Sequence, residues 1–135
     1  MSNSRQDTSR RGSLAEHDKV VNEIILTLGS TDMCRVWRNE TGKGIKMSYY
    51  MACKKNEMSW ESLDRGIFSY GLKGSADILG ILNDGRFLAI EVKTGNAKQS
   101  KIQKNFGAMI QKFGGVYMVC KNKKEALHNV KQLIS

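Results

Sequence analysis

Proline is absent from this chain of 135 residues, so no proline-rich linker divides it, and no internal repeat breaks it into copies. No run of apolar residues reaches the ~18 needed to cross a bilayer, which excludes a membrane-spanning helix. The opening MSNSRQDTSRRGS is positively charged but leads into no apolar stretch, so it does not read as a secretory signal. Only three cysteines occur, Cys34, Cys53 and Cys120, far apart and without a C-x-x-C partner. That excludes a disulfide framework and a zinc knuckle, makes a reducing cytoplasm the expected compartment, and leaves the thiols as small buried hydrophobes. Acidic residues are scarce: 13 Asp and Glu face 22 Lys and Arg, a net charge of +9. So much positive charge on one small surface suits a polyanionic partner, nucleic acid or an acidic membrane surface. A hydrophobic content of 40% is enough for one soluble domain with a real core.

Residues 1–12 read as a disordered basic tail whose Arg5, Arg10 and Arg11 could touch phosphate, and residues 13–135 read as a single domain. Ser13 with Glu16 has capping-box spacing, and Leu14, Val20, Val21, Ile24, Ile25 and Leu28 recur at helical intervals up to Gly29. Met33–Trp37 reads as a strand, and Ile45–Ala52 as a second extended segment. Residues 53–70 show no clean period. Ala76–Leu82 and Arg86–Lys93 form a hairpin, and Ser100 opens a helix with Ile102, Phe106, Met109, Ile110 and Phe113 on one face. Val116–Cys120 is a short buried strand, and Asn122 caps a last helix, Lys123–Ile134. The order α-β-β-β-α-β-α predicts an α/β layered domain with a helical crossover. Most aromatic side chains, Trp37, Trp60, Tyr49, Tyr50, Phe68 and Tyr70 among them, are expected in the core.

Charge interrupts the hairpin where a core strand should hold none. Alternation puts Glu91 and Lys93 on one face of the second strand, with Leu88, Ile90 and Val92 on the other. The turn decides where Asp77 points. A two-residue turn at Asp84-Gly85 would send it away from Glu91. A three-residue loop, Asn83-Asp84-Gly85 with Gly85 left-handed, sets Asp77 directly opposite Glu91, and this register is the expected one. Two carboxylates ~5 Å apart repel by roughly 3 kcal/mol at an effective dielectric near 20. Lys93 offsets part of that repulsion. A divalent cation would offset it more completely, and Mg²⁺ prefers one or two carboxylates with water and phosphate oxygens.

Asp77 ahead of a hairpin followed by Glu91-Val92-Lys93 resembles the PD-(D/E)XK nuclease superfamily, whose core shares this restriction-endonuclease-like order. GLKGSADILGI, GRFLAIEVKTG, Gln103 and FGG at 113–115 resemble more closely its virus-type replication-repair nuclease (VRR-NUC) domain, over about residues 14–130. Ala76 stands where proline often precedes the aspartate, and the domain is expected to be a stand-alone version. The resemblance implies Asp77, Glu91 and the Val92 carbonyl as ligands of Mg²⁺ or Mn²⁺, with Lys93 beside the attacked phosphate. It implies a catalytic role for Gln103, although Ser100-x-x-Gln103 also reads as a capping box and one side chain is not expected to serve both. The family's first-helix carboxylate is assigned to Glu16 rather than Glu23. Arg38 and Asn39 resemble a phosphate-contacting stretch but equally a solvated turn. Lys98, Lys101 and Lys104 would position phosphate around a helix N-terminus. His17 and His128 are given no role.

These features lead to the expectation of a metal-dependent, structure-selective DNA endonuclease. It would cut branched DNA such as four-way (Holliday) junctions as a homodimer in the cytoplasm, because two symmetric cuts need two active sites. A flap or nicking nuclease, or a non-catalytic module that binds DNA structure, are the alternatives.

Overall fold

The computed structural model describes residues 3–134, with side chains from Gly12 onward. In chain order the elements are α1 (Asn3–Gly29), β1 (Cys34–Arg38), β2 (Gly42–Ile45), α2 (Met47–Lys54), a short 3₁₀ helix (Trp60–Gly66), β3 (Ile67–Tyr70), β4 (Ile78–Leu82), β5 (Phe87–Val92), α3 (Lys101–Lys112), β6 (Val116–Cys120) and α4 (Lys123–Ile134). They form two compact units, one from the residues up to Asn39 together with those from Gly74 on, the other Glu40–Lys73. The domain expected over 13–135 therefore carries a second compact unit between β1 and β4. No helix among the described residues is long and apolar enough to cross a membrane.

In the larger unit the sheet order is β1-β4-β5-β6. β4 pairs antiparallel with both β1 and β5, and β6 joins β5 in parallel after the α3 crossover. Alternation divides the central strands between two apolar layers. Ile78, Leu82, Leu88, Ile90 and Val92 pack against Val20, Val21, Ile24 and Leu28 of α1 and Ala126 and Val130 of α4. On the opposite face Ala76 and Ala89 meet Phe106 and Ile110 of α3. Each fully buried Ile or Leu contributes roughly 1.5–3 kcal/mol, so β5 is fixed from both sides. Gly107 lets α3 approach β6: a Cβ there would stand 2.6 Å from the Tyr117 ring.

The hairpin has the expected register, with Ile78 opposite Ile90 and Leu79 opposite Ala89. Gly85 is left-handed at φ 91°, as the three-residue loop requires. All three cysteines are buried and free, and the Asn122 side chain accepts from the Glu125 N–H at 2.9 Å to cap α4.

Other expectations fail for local reasons. α1 starts at Asn3, so Ser13 lies inside it, caps nothing, and the tail expected over 1–12 is helical from Asn3 on. Arg5, Gln6, Arg10 and Arg11 are good helix formers, and no proline stops the helix there. Met1, Ser2 and the three arginine side chains lie outside what is described. Phe113 follows the last turn of α3 and is 78% exposed, and Ile102 is exposed at its start.

The smaller unit pairs β2 with β3 antiparallel. The extended segment expected over Ile45–Ala52 ends at Ile45, and α2 follows. Tyr49 and Cys53, four residues apart, give that helix its inner stripe. Cys53 is buried, and Tyr49 lies so close to Gly66 that a Cβ there would stand 2.6 Å from the Tyr49 ring. Trp37 in β1 is exposed, and so are Tyr50, Trp60, Phe68 and Tyr70 here, against the expectation of core aromatics.

Candidate active site

Beyond the last paired residues of the hairpin, the register brings Asp77 and Glu91 together at the end of β5. Asn39 holds the segment that delivers Asp77. Its Nδ2 donates to Ser75 Oγ at 2.7 Å and to the Ala76 carbonyl at 2.8 Å, and its backbone N–H donates to the Asp77 carbonyl at 2.8 Å. Asp77 Oδ2 then accepts from the Val92 N–H at 2.8 Å. The stretch read as a phosphate contact or a loose turn thus positions a site carboxylate.

Glu91 is 2% exposed on the α3 face of β5. Its Oε1 accepts from Gln103 Nε2 at 3.0 Å and lies 3.7 Å from Lys93 Nζ. Its Oε2 is buried and has no hydrogen-bond partner. Burial, then the charge of Asp77, push the Glu91 carboxyl up to about 8 against the pull of Lys93. Without a cation beside it, the environment favours the protonated carboxyl. A buried oxygen without a partner, set against a second carboxylate, matches the oxygen donors a divalent cation prefers, so the donor set fits one.

Gln103 caps α3 and also reaches Glu91, two contacts that one side chain was not expected to make. Its Oε1 accepts from the Ser100 N–H at 2.8 Å and Ser100 Oγ accepts from the Gln103 N–H at 3.2 Å, completing the capping box. The two ends of one amide point in opposite directions, which leaves Nε2 free for Glu91.

The first helix contributes a residue that was given no role. Glu16 is exposed, whereas His17 sits on the stripe of Val20, Val21 and Ile24. His17 Nε2 stands 3.1 Å from the Val92 carbonyl oxygen and 3.4 Å from Asp77 Oδ2. Tyr117 was also missed: its hydroxyl accepts from Gln99 Nε2 at 2.7 Å, and burial raises its pKa, with the nearby Glu91 and Asp77 adding to the rise. The contact between His17 and Val92 spans 75 positions, and no local signal in the sequence announces it.

Arg38 faces inward. Its guanidinium donates to Asp18 Oδ1 at 3.1 Å and to Asn22 Oδ1 at 2.8 Å, clasping α1 to the end of β1. Lys98, Lys101 and Lys104 are exposed around the start of α3, and Lys98 lines a cleft of about 540 Å³ with Lys121. His128 is exposed on α4. A second cleft, of about 300 Å³, is lined by Thr41, Lys43, Tyr70 and Lys73 and contains none of the site residues.

No family model and no curated protein sequence matches the chain. Five chains of solved structure do match it. One, described as a VRR_NUC domain protein, aligns over 88% of both chains with a TM-score of 0.55 and 18% sequence identity. The chain has a VRR-NUC-like fold. The four-stranded mixed sheet with helices on both faces is that fold's restriction-endonuclease-like core, as the order of elements predicted. In this VRR-NUC-like frame, Asp77, Glu91 and Lys93 stand together at one end of the central hairpin.

Proposed function

We propose that the chain is a Mg²⁺- or Mn²⁺-dependent endonuclease that cuts branched DNA, four-way junctions included, as a homodimer in the cytoplasm. The observation that carries this reading is Glu91, 2% exposed, with one oxygen unpartnered and a second carboxylate, Asp77, beside it. A module that only binds DNA gains nothing from so unfavourable a pair. Asp77, Glu91 and the Val92 carbonyl would hold the cation, which when bound supplies a water acidic enough to attack phosphate and charge to offset the phosphate's own.

The remaining work falls to the chain's own groups. Gln103 pins Glu91 Oε1, so that Oε2 is the oxygen left to serve the cation. Asn39 fixes the main chain on either side of Asp77. Lys93 Nζ, its side chain only 18% exposed, offers a poorly hydrated positive charge for the oxygens that gain negative charge as the phosphodiester breaks. Lys98, Lys101 and Lys104 would take the flanking phosphates, where the first N–H groups of α3 add to the attraction. The net charge of +9 supports a nucleic-acid substrate. One chain carries one such site, so paired cuts across a junction require two copies.

The test is a cleavage panel of single-stranded, duplex, flap, splayed and four-way DNA, with Mg²⁺, with Mn²⁺ and with chelator. Cation-dependent cutting, strongest on the four-way substrate, supports the proposal. Salt-dependent binding without cutting of any substrate overturns it in favour of a non-catalytic DNA-binding module.

A further inference from the structure

We infer that His17 is itself a ligand of the cation site, adding one nitrogen to the oxygens of Asp77 and Val92. The inference rests on the metal-dependent reading above and goes beyond it. Among the described residues no three His, Cys, Asp or Glu side chains form a ready-made cage. The candidate set instead draws on the main chain: His17, Val92 and Asp77, from α1, β5 and the segment before β4, converge at the Val92 carbonyl.

Three atoms meet there. His17 Nε2 lies 3.1 Å from Val92 O and 3.4 Å from Asp77 Oδ2. Neighbouring ligands around an octahedral cation with bonds of 2.0–2.1 Å stand about 3 Å apart, the square root of two times the bond. The spacing of the nitrogen from both oxygens thus approaches that of ligands on one face of such a site. His17 is carried there by the stripe it shares with Val20, Val21 and Ile24, all buried against the sheet. Its ring is 29% exposed, so exchange with solvent stays open.

A carbonyl oxygen only accepts, so in the cation-free state Nε2 carries the ring proton and donates it to Val92 O. To ligate a cation, Nε2 would have to offer its lone pair, with the ring proton on Nδ1. Imidazole nitrogen is a softer donor than the carboxylate, carbonyl and water oxygens that suffice for Mg²⁺, and divalent affinity for such a donor rises from Mn²⁺ to Co²⁺. His17 should therefore bias the site toward Mn²⁺ and Co²⁺ and away from Mg²⁺.

The experiment uses the full chain stripped of metal and titrated with MnCl₂ and separately with MgCl₂, by calorimetry and by electron paramagnetic resonance. Wild type should show nitrogen coupling in the pulsed Mn²⁺ spectrum, and His17→Ala and His17→Gln should lose it. Mn²⁺ affinity should fall about tenfold or more in both variants, with a smaller change for Mg²⁺. Melting in chelator shows that each variant folds, and glutamine retains an amide for Val92 should alanine unfold the chain. A Mn²⁺-loaded wild type without nitrogen coupling, or variants with wild-type Mn²⁺ affinity, overturns the inference. In that case Asp77→Asn still abolishes Mn²⁺ binding, and the carboxylate site stands. A wild type that takes up neither cation removes the proposed function as well.

Discussion

Gln103 donates from Nε2 to Glu91 Oε1 across 3.0 Å while its own Oε1 accepts from the Ser100 N–H at 2.8 Å. One amide thus closes the N-terminus of α3 and sets the orientation of a buried carboxyl. The two functions separate by mutation. Ser100→Ala removes half of the capping box and leaves Gln103 in reach of Glu91. It should cost about 1 kcal/mol of stability with cleavage nearly intact. Gln103→Ala should cost as much stability and lower the cleavage rate as well. Denaturant unfolding and single-turnover cleavage of both variants decide the matter: equal losses of cleavage would mean that the cap alone is important.

The raised pKa of Glu91 has a consequence for stability. The folded chain holds this proton up to about 8 and the unfolded chain releases it near 4.5. Between those values the native state binds the extra proton, so stability falls as pH rises through the window. In chelator, the urea midpoint should decline across it. Glu91→Gln should remove that decline and make the cation-free protein more stable at the upper end, because its amide stays neutral. Mn²⁺ should flatten the wild-type profile and leave the glutamine variant unmoved. A wild-type profile in chelator that is flat over this range would contradict the buried, protonated Glu91.

Lys93 is predicted to act on the reaction and not on cation uptake, since its ammonium lies 3.7 Å from Glu91 Oε1 and has no lone pair to ligate a cation. Lys93→Met should lower cleavage by roughly 10²–10³-fold. Its Mn²⁺ affinity should stay near that of wild type. Asp77→Asn and Glu91→Gln should lose both. Calorimetric titration beside single-turnover rates separates the two classes, and a Lys93→Met protein that no longer binds Mn²⁺ would place the lysine in the holding of the cation instead.

How far the sequence could be read follows from how local each interaction is. The hairpin register was legible because turn chemistry is set by three adjacent residues, and Gly85 takes the left-handed position the loop demands. From that register the opposition of Asp77 and Glu91 followed, and with it the core of the site. The contact of His17 was not legible, because it joins a helix to a strand end 75 residues away. The exposed Glu16, one position earlier, was the more obvious match by residue type. Residues 53–70 carried no period because they form a short 3₁₀ helix and an exposed strand, where burial imposes no alternation. Ile45–Ala52 read as an extended segment, yet the spacing of Tyr49 and Cys53 was the helical signal.

Asn39 should prove as important to the site as any group in it. Its side chain supplies two hydrogen bonds to residues 75 and 76, directly ahead of Asp77. Asn39→Ala leaves the half-buried Ser75 hydroxyl and the Ala76 carbonyl without that donor, at a cost of about 1–3 kcal/mol. Asn39→Asp cannot donate from its side chain and should behave alike. Both should weaken Mn²⁺ binding through a displaced Asp77, and misplacement by about 1 Å can cost 10²-fold in rate. If the variants lose stability but keep wild-type cation affinity and rate, the segment holds itself in place without Asn39.

Positive charge on this chain falls into two kinds, and salt dependence tells them apart. Arg38 is engaged with Asp18 at 3.1 Å and Asn22 at 2.8 Å, and its side chain is 31% exposed. Lys98, Lys101 and Lys104 are exposed around the start of α3. Each lysine that neutralises a DNA phosphate releases about one counterion, so it adds about one to the slope of log affinity against log salt concentration. Replacing all three with alanine should weaken junction binding and reduce that slope by roughly three. Arg38→Ala should leave the slope unchanged and lower stability by about 0.5–1 kcal/mol, as expected for a partly solvated ion pair with one added hydrogen bond. Fluorescence anisotropy over a salt series, with cleavage blocked by chelator, measures both slopes. An Arg38→Ala slope lower by one, with stability unchanged, would return Arg38 to the DNA-binding surface and make its contact with α1 incidental.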